Sequence, residues 1–193
     1  MALKAVVFDV GETLIDESGM WERAADAAGV ARFTLMGVLG GLAARGEDHS
    51  RAWEILGVEH PASTWVPEDF YADALPCLEA LTSRGLRVGA VGNTPAATET
   101  LIREHVDFVG SSGRWGIEKP SPEFFVRVAA EAGVDVGEIA YVGDRVDNDV
   151  VPALAAGMVA VHIRRGPWGY LQEPPAAAIR IGSLEELPEA LGV

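Results

Sequence analysis

The chain of 193 residues has room for one domain with an insertion or a small second lobe, and can bury roughly 70% of the surface its unfolded form would expose. With 15 basic and 29 acidic residues it carries a formal charge of −14, which excludes nucleic acid and anionic membranes as expected partners, because both demand a basic face. Hydrophobic residues make up 49% and charged residues 23%, the composition of a folded globule rather than a disordered chain.

In chain order, the opening MALKAVVFDVGETL has too short an apolar stretch for a signal peptide, with Asp9 and Glu12 following at once. No run approaches the roughly 18 apolar residues of a transmembrane helix. Ala5–Phe8 is a continuous apolar run, the pattern of a strand buried on both faces in a parallel sheet. Residues 17–70 contain no such run. Their alanine- and leucine-rich pieces, Met20–Ala28, Ala31–Ala44 and Asp48–Leu56, read as helices separated by Gly29, Gly46 and Gly57. The stretch HPASTWVPEDF then returns to the main domain. The organisation expected is a core of residues 1–16 and 71–193 with a small helical cap, 17–70, inserted after the first strand.

Beyond the insertion, helix and strand alternate. Ala74–Ser83 is helical and ends near Gly85, and Leu86–Val91 is a buried strand. Ala96–Glu104 and Pro122–Ala132 read as helices begun by hydroxyl N-caps at Thr94 and Ser121 with proline in the first turn. Ile139–Val142 is a strand, Asn148–Ala156 a helix, and Val159–Ile163 a strand. Residues 167–178, PWGYLQEPPAAA, read as a surface loop before a short strand at Ile179–Ile181 and a last helix over Ser183–Leu191. This alternation predicts an α/β fold, a doubly wound, Rossmann-like parallel sheet. The lone Cys77, at an apolar helix position, reads as a small core residue. It excludes an intrachain disulfide or multi-cysteine metal site and is compatible with the cytoplasmic location expected for the chain.

Ligands of open α/β sheets bind outside the carboxyl ends of the strands, so the first polar residues after each buried run are the candidates. They are Asp9 after the first strand, Gly92, Asn93 and Thr94 after the second, and Asp144 with Asp149 after the strand at 139–142. Lys119 stands in the loop GIEKPSPEFF before a helix. It is one of only two lysines, with Lys4, in a chain that otherwise uses 13 arginines, and a compact point charge suits a site role. Carboxylates gathered at one sheet edge repel one another unless a hard cation such as Mg²⁺ is bound, while a lysine and helix N-termini attract an anion. A metal beside an anion pocket and a carboxylate points to attack on a phosphoryl group, with Asp9 as nucleophile and an aspartyl-phosphate as intermediate. The other conspicuous residues read as ordinary structure. Asp147 is a solvated helix-start acid. His49, His60, His105 and His162 lack ligand spacing. Arg23, Arg32, Arg45 and Arg51 form a solvated face. Trp21 and Trp115 lie in stretches where cap and core could face each other.

These motifs resemble the haloacid dehalogenase superfamily of hydrolases over nearly the whole chain. FDVGETL looks like its first motif, with Asp9 as nucleophile and Thr13 at its threonine. VGAVGNTP, EKPSPEFF and YVGDRVDNDVVPALAAGM look like the second, the lysine and the acidic motifs, and the insertion looks like a short cap. The resemblance implies a phosphatase-like hydrolase acting on a small phosphorylated metabolite. It also implies a Mg²⁺ site from Asp9, the Gly11 carbonyl and Asp144 with Asp149 in support, and phosphate contacts from Gly92, Asn93, Thr94 and Lys119. Two departures weaken it. Family phosphatases carry an acid/base aspartate where this chain has Gly11, and losing such a group costs on the order of 10²–10⁴ in rate. Glu12 and Asp16 lie nearby but need a different backbone path to replace it. The hydroxyl residue usual before Asn93 is Gly92, which leaves Thr94 or backbone amides to hold the phosphoryl oxygens. The alternatives are a catalytically weak relative that binds a phosphate ligand or partner, and a 2-haloacid dehalogenase-like hydrolase, against which the intact GDRVDND stands. A phosphonoacetaldehyde hydrolase is excluded, because residues 17–70 hold no lysine for a Schiff base.

Overall fold

In the computed structural model, which describes residues 2–193, the buried runs pair into one parallel sheet. The strands are β1 (Ala5–Phe8), β2 (Arg87–Gly92), β3 (Phe108–Ser111), β4 (Ile139–Gly143), β5 (Val159–Ile163) and β6 (Ile179–Ile181), in the order β3-β2-β1-β4-β5-β6. Helices α1 (Ser18–Ala28), α2 (Arg32–Ala44), α3 (Arg51–Leu56) and α4 (Ala74–Ser83) lie between β1 and β2. Helix α5 (Glu99–Ile102) follows β2, and α6 (Ser112–Trp115) and α7 (Pro122–Ala132) follow β3. The last three, α8 (Val151–Ala156), α9 (Gly166–Leu171) and α10 (Leu187–Leu191), follow β4, β5 and β6.

Each central strand feeds two cores, which is why its sequence is apolar without alternation. Val6, Phe8 and Val88 meet Leu78 and Leu81 of α4 and Leu187 of α10 on one face. Ala5, Val7 and Tyr141 meet Phe124, Phe125 and Val128 of α7 and Ala153 of α8 on the other. The chain runs from β1 outward to β2 and β3, then crosses back to β4 on the far side of β1. In an open sheet this reversal leaves a crevice at the carboxyl ends of the two strands. Phe8 is paired with Val142, so β1 ends one residue short of β4 beside that crevice.

Helices α1–α3 share a core of their own, built from Trp21, Ala25, Leu35, Leu39, Leu42 and Trp53. Helices α1 and α3 end at Gly29 and Gly57, both at φ +68°, a left-handed conformation that favours glycine and lets the cap N–H close on the last turn. Among the described residues no single helix is long and apolar enough to cross a membrane.

Several local expectations need correction. Strand β3 was not anticipated, because its four residues include Gly110 and carry no long apolar run. That glycine is required by packing: the Trp115 ring, which also meets Phe124 at a centroid distance of 5.2 Å, lies directly where a Cβ at position 110 would be. Gly110→Ala is therefore expected to destabilise the fold by about 1–3 kcal/mol, read as a lower urea midpoint with an unchanged slope. An unchanged midpoint would show that the ring moves aside freely.

The helix expected at Ala96–Glu104 is broken into a 3₁₀ turn, α5 and a second 3₁₀ turn. Neither expected hydroxyl cap forms. The Thr94 hydroxyl accepts from Thr98 Oγ1 at 2.9 Å, and the Ser121 hydroxyl donates to Glu123. The helix expected at Asn148–Ala156 begins as a π-helical turn, Val146–Val150, before α8. The supposed loop at 167–178 starts as α9, which packs on α2. Trp168 is only 7% exposed and sits 5.1 Å from the Arg145 guanidinium, so tertiary burial organises a stretch whose Pro167 and Gly169 look loop-like.

Candidate active site

Asp9 is the first residue after β1 and Asp144 the first after β4, so the pairing of these strands sets the two carboxylates side by side. The Asp9 N–H donates to the Val142 carbonyl at 2.8 Å, which continues the sheet ladder one residue further and fixes its backbone. Lys119 is delivered from the loop before α7 by Asn93. The Asn93 Nδ2 donates to the Lys119 carbonyl at 2.9 Å, and the Lys119 N–H donates to Asn93 Oδ1 at 2.8 Å. The lysine Nζ then lies 2.5 Å from Asp9 Oδ1 and 2.6 Å from Asp149 Oδ1. Asp149 is fully buried, and its other oxygen accepts from the Arg145 N–H at 3.1 Å.

Asp9, Asp144 and Asp149 offer carboxylate oxygens within 4.8 Å of one another. Burial pulls the Lys119 ammonium down, but the charges of Asp149 and Asp9 outweigh it and hold the group well above the usual lysine range. Burial, reinforced by the charges of Asp149 and Asp9, pushes the Asp144 carboxyl well above the usual carboxylate range. Asp149 is raised to about 6 by burial, with Lys119 opposing the shift. Three buried carboxylates against one ammonium leave surplus negative charge in an all-oxygen set, and that set fits a hard divalent cation.

A cavity of about 610 Å³ opens over this group. Asp9, Gly11, Asn93, Lys119 and Asp144 line it from the sheet side, and Met20, Trp21, His49, His60 and Trp65 line it from the 17–70 segment. Gly92 does not line it but leaves room for it, since a Cβ there would stand 3.3 Å from Asp9 Oδ1. Thr94 does not line it; its hydroxyl accepts from Thr98 Oγ1 at 2.9 Å. Asp149 stands behind Lys119 and makes no wall. Asn93, expected on the anion, has its side-chain amide committed to the main chain of Lys119.

Among the remaining expectations, Asp147 is paired with Arg145 at 2.7 Å, as a solvated acid would be. Trp21 lines the cavity and Trp115 does not. Of the histidines expected to be structural, His49 and His60 are cavity residues, while His162 is buried with Nε2 2.9 Å from the Asp144 carbonyl. The arginines of the 17–70 segment are engaged elsewhere: Arg23 with Asp69, Arg32 with Glu22 and Asp26, and Arg45 and Arg51 with Glu47. Glu12, at φ +51°, accepts from the Tyr71 hydroxyl at 2.6 Å and from the Glu17 N–H at 3.2 Å, and Asp16 accepts from the Ser18 N–H at 2.9 Å. Glu17 was missed in the sequence. It is partly buried, its Oε2 accepts from the Trp21 indole at 3.2 Å, and its carboxyl is pushed up to about 8 by burial, with Glu12 and Asp9 adding to the shift against Trp21. No sequence signal marks it, because it stands six positions from Gly11 and only the turn between them brings the two together.

The sheet order and its acid–lysine crevice place the chain among the doubly wound α/β hydrolases. A family model for haloacid dehalogenase-like hydrolases matches residues 3–157, and the chain belongs to that family. It is 41% identical over 104 residues to the glyceraldehyde 3-phosphate phosphatase of Methanopyrus kandleri, covering 51% of this chain and 45% of that one. It is 35% identical over 131 residues to the phosphoserine phosphatase of Thermus thermophilus, covering 63% and 51%. The chain thus spans about half the length of these curated relatives. A HAD phosphatase from Thermococcus onnurineus superposes with a TM-score of 0.67 over 98% of both chains at 24% identity, a likeness of fold.

Proposed function

We propose that the protein is a Mg²⁺-dependent phosphomonoesterase that acts on a small phosphorylated metabolite through an aspartyl-phosphate on Asp9. The observation that carries this reading is the Lys119 ammonium held between Asp9 and Asp149, with Asp144 alongside, at one end of a cavity large enough for such a substrate. Lys119 engages Asp9 Oδ1, which leaves Oδ2 as the attacking oxygen. Asp149 keeps the ammonium charged and aimed, and the ammonium offsets negative charge on the transferring group. Asn93 positions Lys119, and the main-chain amides after β2, beside the space left at Gly92, are the donors for phosphoryl oxygens. When bound, the cation held by Asp9, Asp144 and the Gly11 carbonyl supplies Lewis-acid stabilisation of the same oxygens. Residues 17–70 serve as a cap over the core of 1–16 and 71–193, and their aromatic wall surrounds the leaving group. The names of the curated relatives support the substrate class, since both act on small phosphorylated compounds.

The test is turnover of p-nitrophenyl phosphate and a panel of phosphorylated metabolites. EDTA is expected to reduce turnover to background and Mg²⁺ to restore it. Because the cation binds the folded state, Mg²⁺ at about a hundredfold over its Kd is also expected to raise stability by about 2.7 kcal/mol. Turnover that ignores EDTA would remove the metal from the reading. The position of Thr94 outside the cavity lining favours a second reading, a catalytically weak relative that binds a phosphate ligand. No turnover across the panel, with saturable binding of a phosphate analogue, would establish it.

A further inference from the structure

An alkyl phosphate cannot release its alcohol readily unless the bridging oxygen receives a proton, and a side chain must reach into the cavity to deliver it. Three carboxylates near the entrance to the site are candidates. Glu12 is tied to the Tyr71 hydroxyl at 2.6 Å and to the Glu17 N–H at 3.2 Å, and Asp16 accepts from the Ser18 N–H and does not line the cavity. Glu17 does line it, together with Asp9 and Gly11, and only its Oε2 is engaged, by Trp21. Its Oε1 lies over the bare α-carbon of Gly11: a Cβ built there would stand 2.5 Å from that oxygen and 3.1 Å from the carboxyl carbon. The absence of a side chain at position 11 and the placement of the Glu17 carboxyl are therefore one arrangement. Position 11, two beyond the nucleophile, carries no side chain, and a carboxylate from the residue that precedes α1 fills the space.

Resting on the phosphatase reading above, we propose that Glu17 is the general acid and base of this site. In the first step Asp9 Oδ2 bonds to phosphorus, the bond from phosphorus to the bridging oxygen breaks, and that oxygen takes the proton from Glu17 as the alcohol leaves. In the second step the Glu17 carboxylate takes a proton from a water whose oxygen bonds to phosphorus. The bond to Asp9 then breaks, and inorganic phosphate departs with Asp9 and Glu17 restored.

The experiment compares two substrates in Mg²⁺, glycerol phosphate with a poor leaving group and p-nitrophenyl phosphate with a good one, for the full chain and Glu17→Gln. The variant is expected to lose about 10²-fold or more in kcat on glycerol phosphate with KM within about threefold. On p-nitrophenyl phosphate it is expected to release one equivalent of p-nitrophenolate in a rapid burst and then turn over slowly, because the departure of this group needs no acid while hydrolysis of the phosphoenzyme needs the base. A purely structural glutamate would not separate the substrates or produce the burst. In a second variant, Glu17→Ala with Gly11→Asp, the carboxylate is moved to position 11, and glycerol phosphate turnover is expected to recover at least tenfold over Glu17→Ala. Equal losses on both substrates without a burst, or losses below threefold on both, would overturn the assignment while leaving the phosphatase reading intact. Absence of turnover by the unmodified chain would overturn both.

Discussion

Asp9→Asn is expected to reduce Mg²⁺-dependent turnover by at least about 10⁴-fold while the protein remains folded. The replacement keeps the shape of the side chain but removes the anionic oxygen that attacks phosphorus, and an amide forms no phosphoenzyme. The fold tolerates it, because Lys119 retains Asp149 at 2.6 Å and the buried cluster loses one of its three mutually repelling carboxylates. The melting temperature is therefore expected to hold or rise slightly, and a radiolabelled phosphate monoester should leave no acid-stable label on the variant. Turnover within tenfold of the unmodified enzyme would show that another group is the nucleophile.

Lys119→Met is expected to abolish activity and also to destabilise the fold, which separates it from the aspartate variant. The side chain is 3% exposed and, among the described residues, is the one ammonium in bonding contact with Asp9 and Asp149. Without it, two buried carboxylates face each other and Asp144 uncompensated. Removing one partner of a buried pair costs about 3–5 kcal/mol, on the order of 10 °C in melting temperature for a chain of this size. The sign with pH follows from Asp144 and Asp149, both already raised, Asp149 to about 6, and both released from the opposing charge of Lys119 once the ammonium is gone. The native state of the variant then binds more protons than the unfolded chain, so its stability falls as pH rises through that range. In EDTA the deficit is expected to be smallest near pH 5 and largest near pH 8. Thermal melts across this window check it, and a deficit that shrinks with rising pH would refute the electrostatic account. Mg²⁺ is expected to restore part of the lost stability but not the activity, because the cation relieves repulsion without replacing the charge beside the transferring group.

The local expectations that failed share a cause. At β3, four residues around a glycine carry too little apolar pattern, and the decisive contact is the Trp115 ring lying on Gly110. At α9, proline and glycine are ordinary at the ends of short helices, yet they look like a loop until Trp168 is seen to be buried against the rest of the fold. The Thr94 hydroxyl was legible as a candidate donor, but not its place outside the cavity, beside Thr98. The cavity roles of His49, His60 and Glu17 were invisible for the same reason: a helical segment shows which of its faces is apolar, not which part of its rim is turned toward a neighbour.

What could be read from residue order was whatever local chemistry dictates. Continuous apolar runs alternating with helices point to a parallel sheet covered on both faces, and the polar residues that follow such strands gather at one edge, so the meeting of Asp9, Asp144 and Asp149 with Lys119 was an expectation residue order could frame. Folding in three dimensions alone decided how these groups share charge and which empty space another side chain fills. The Asn93 clamp on Lys119, the burial of Asp149 behind the ammonium and the reach of Glu17 over Gly11 depend on distances between segments far apart in the chain or separated by a turn, and no local pattern encodes those distances.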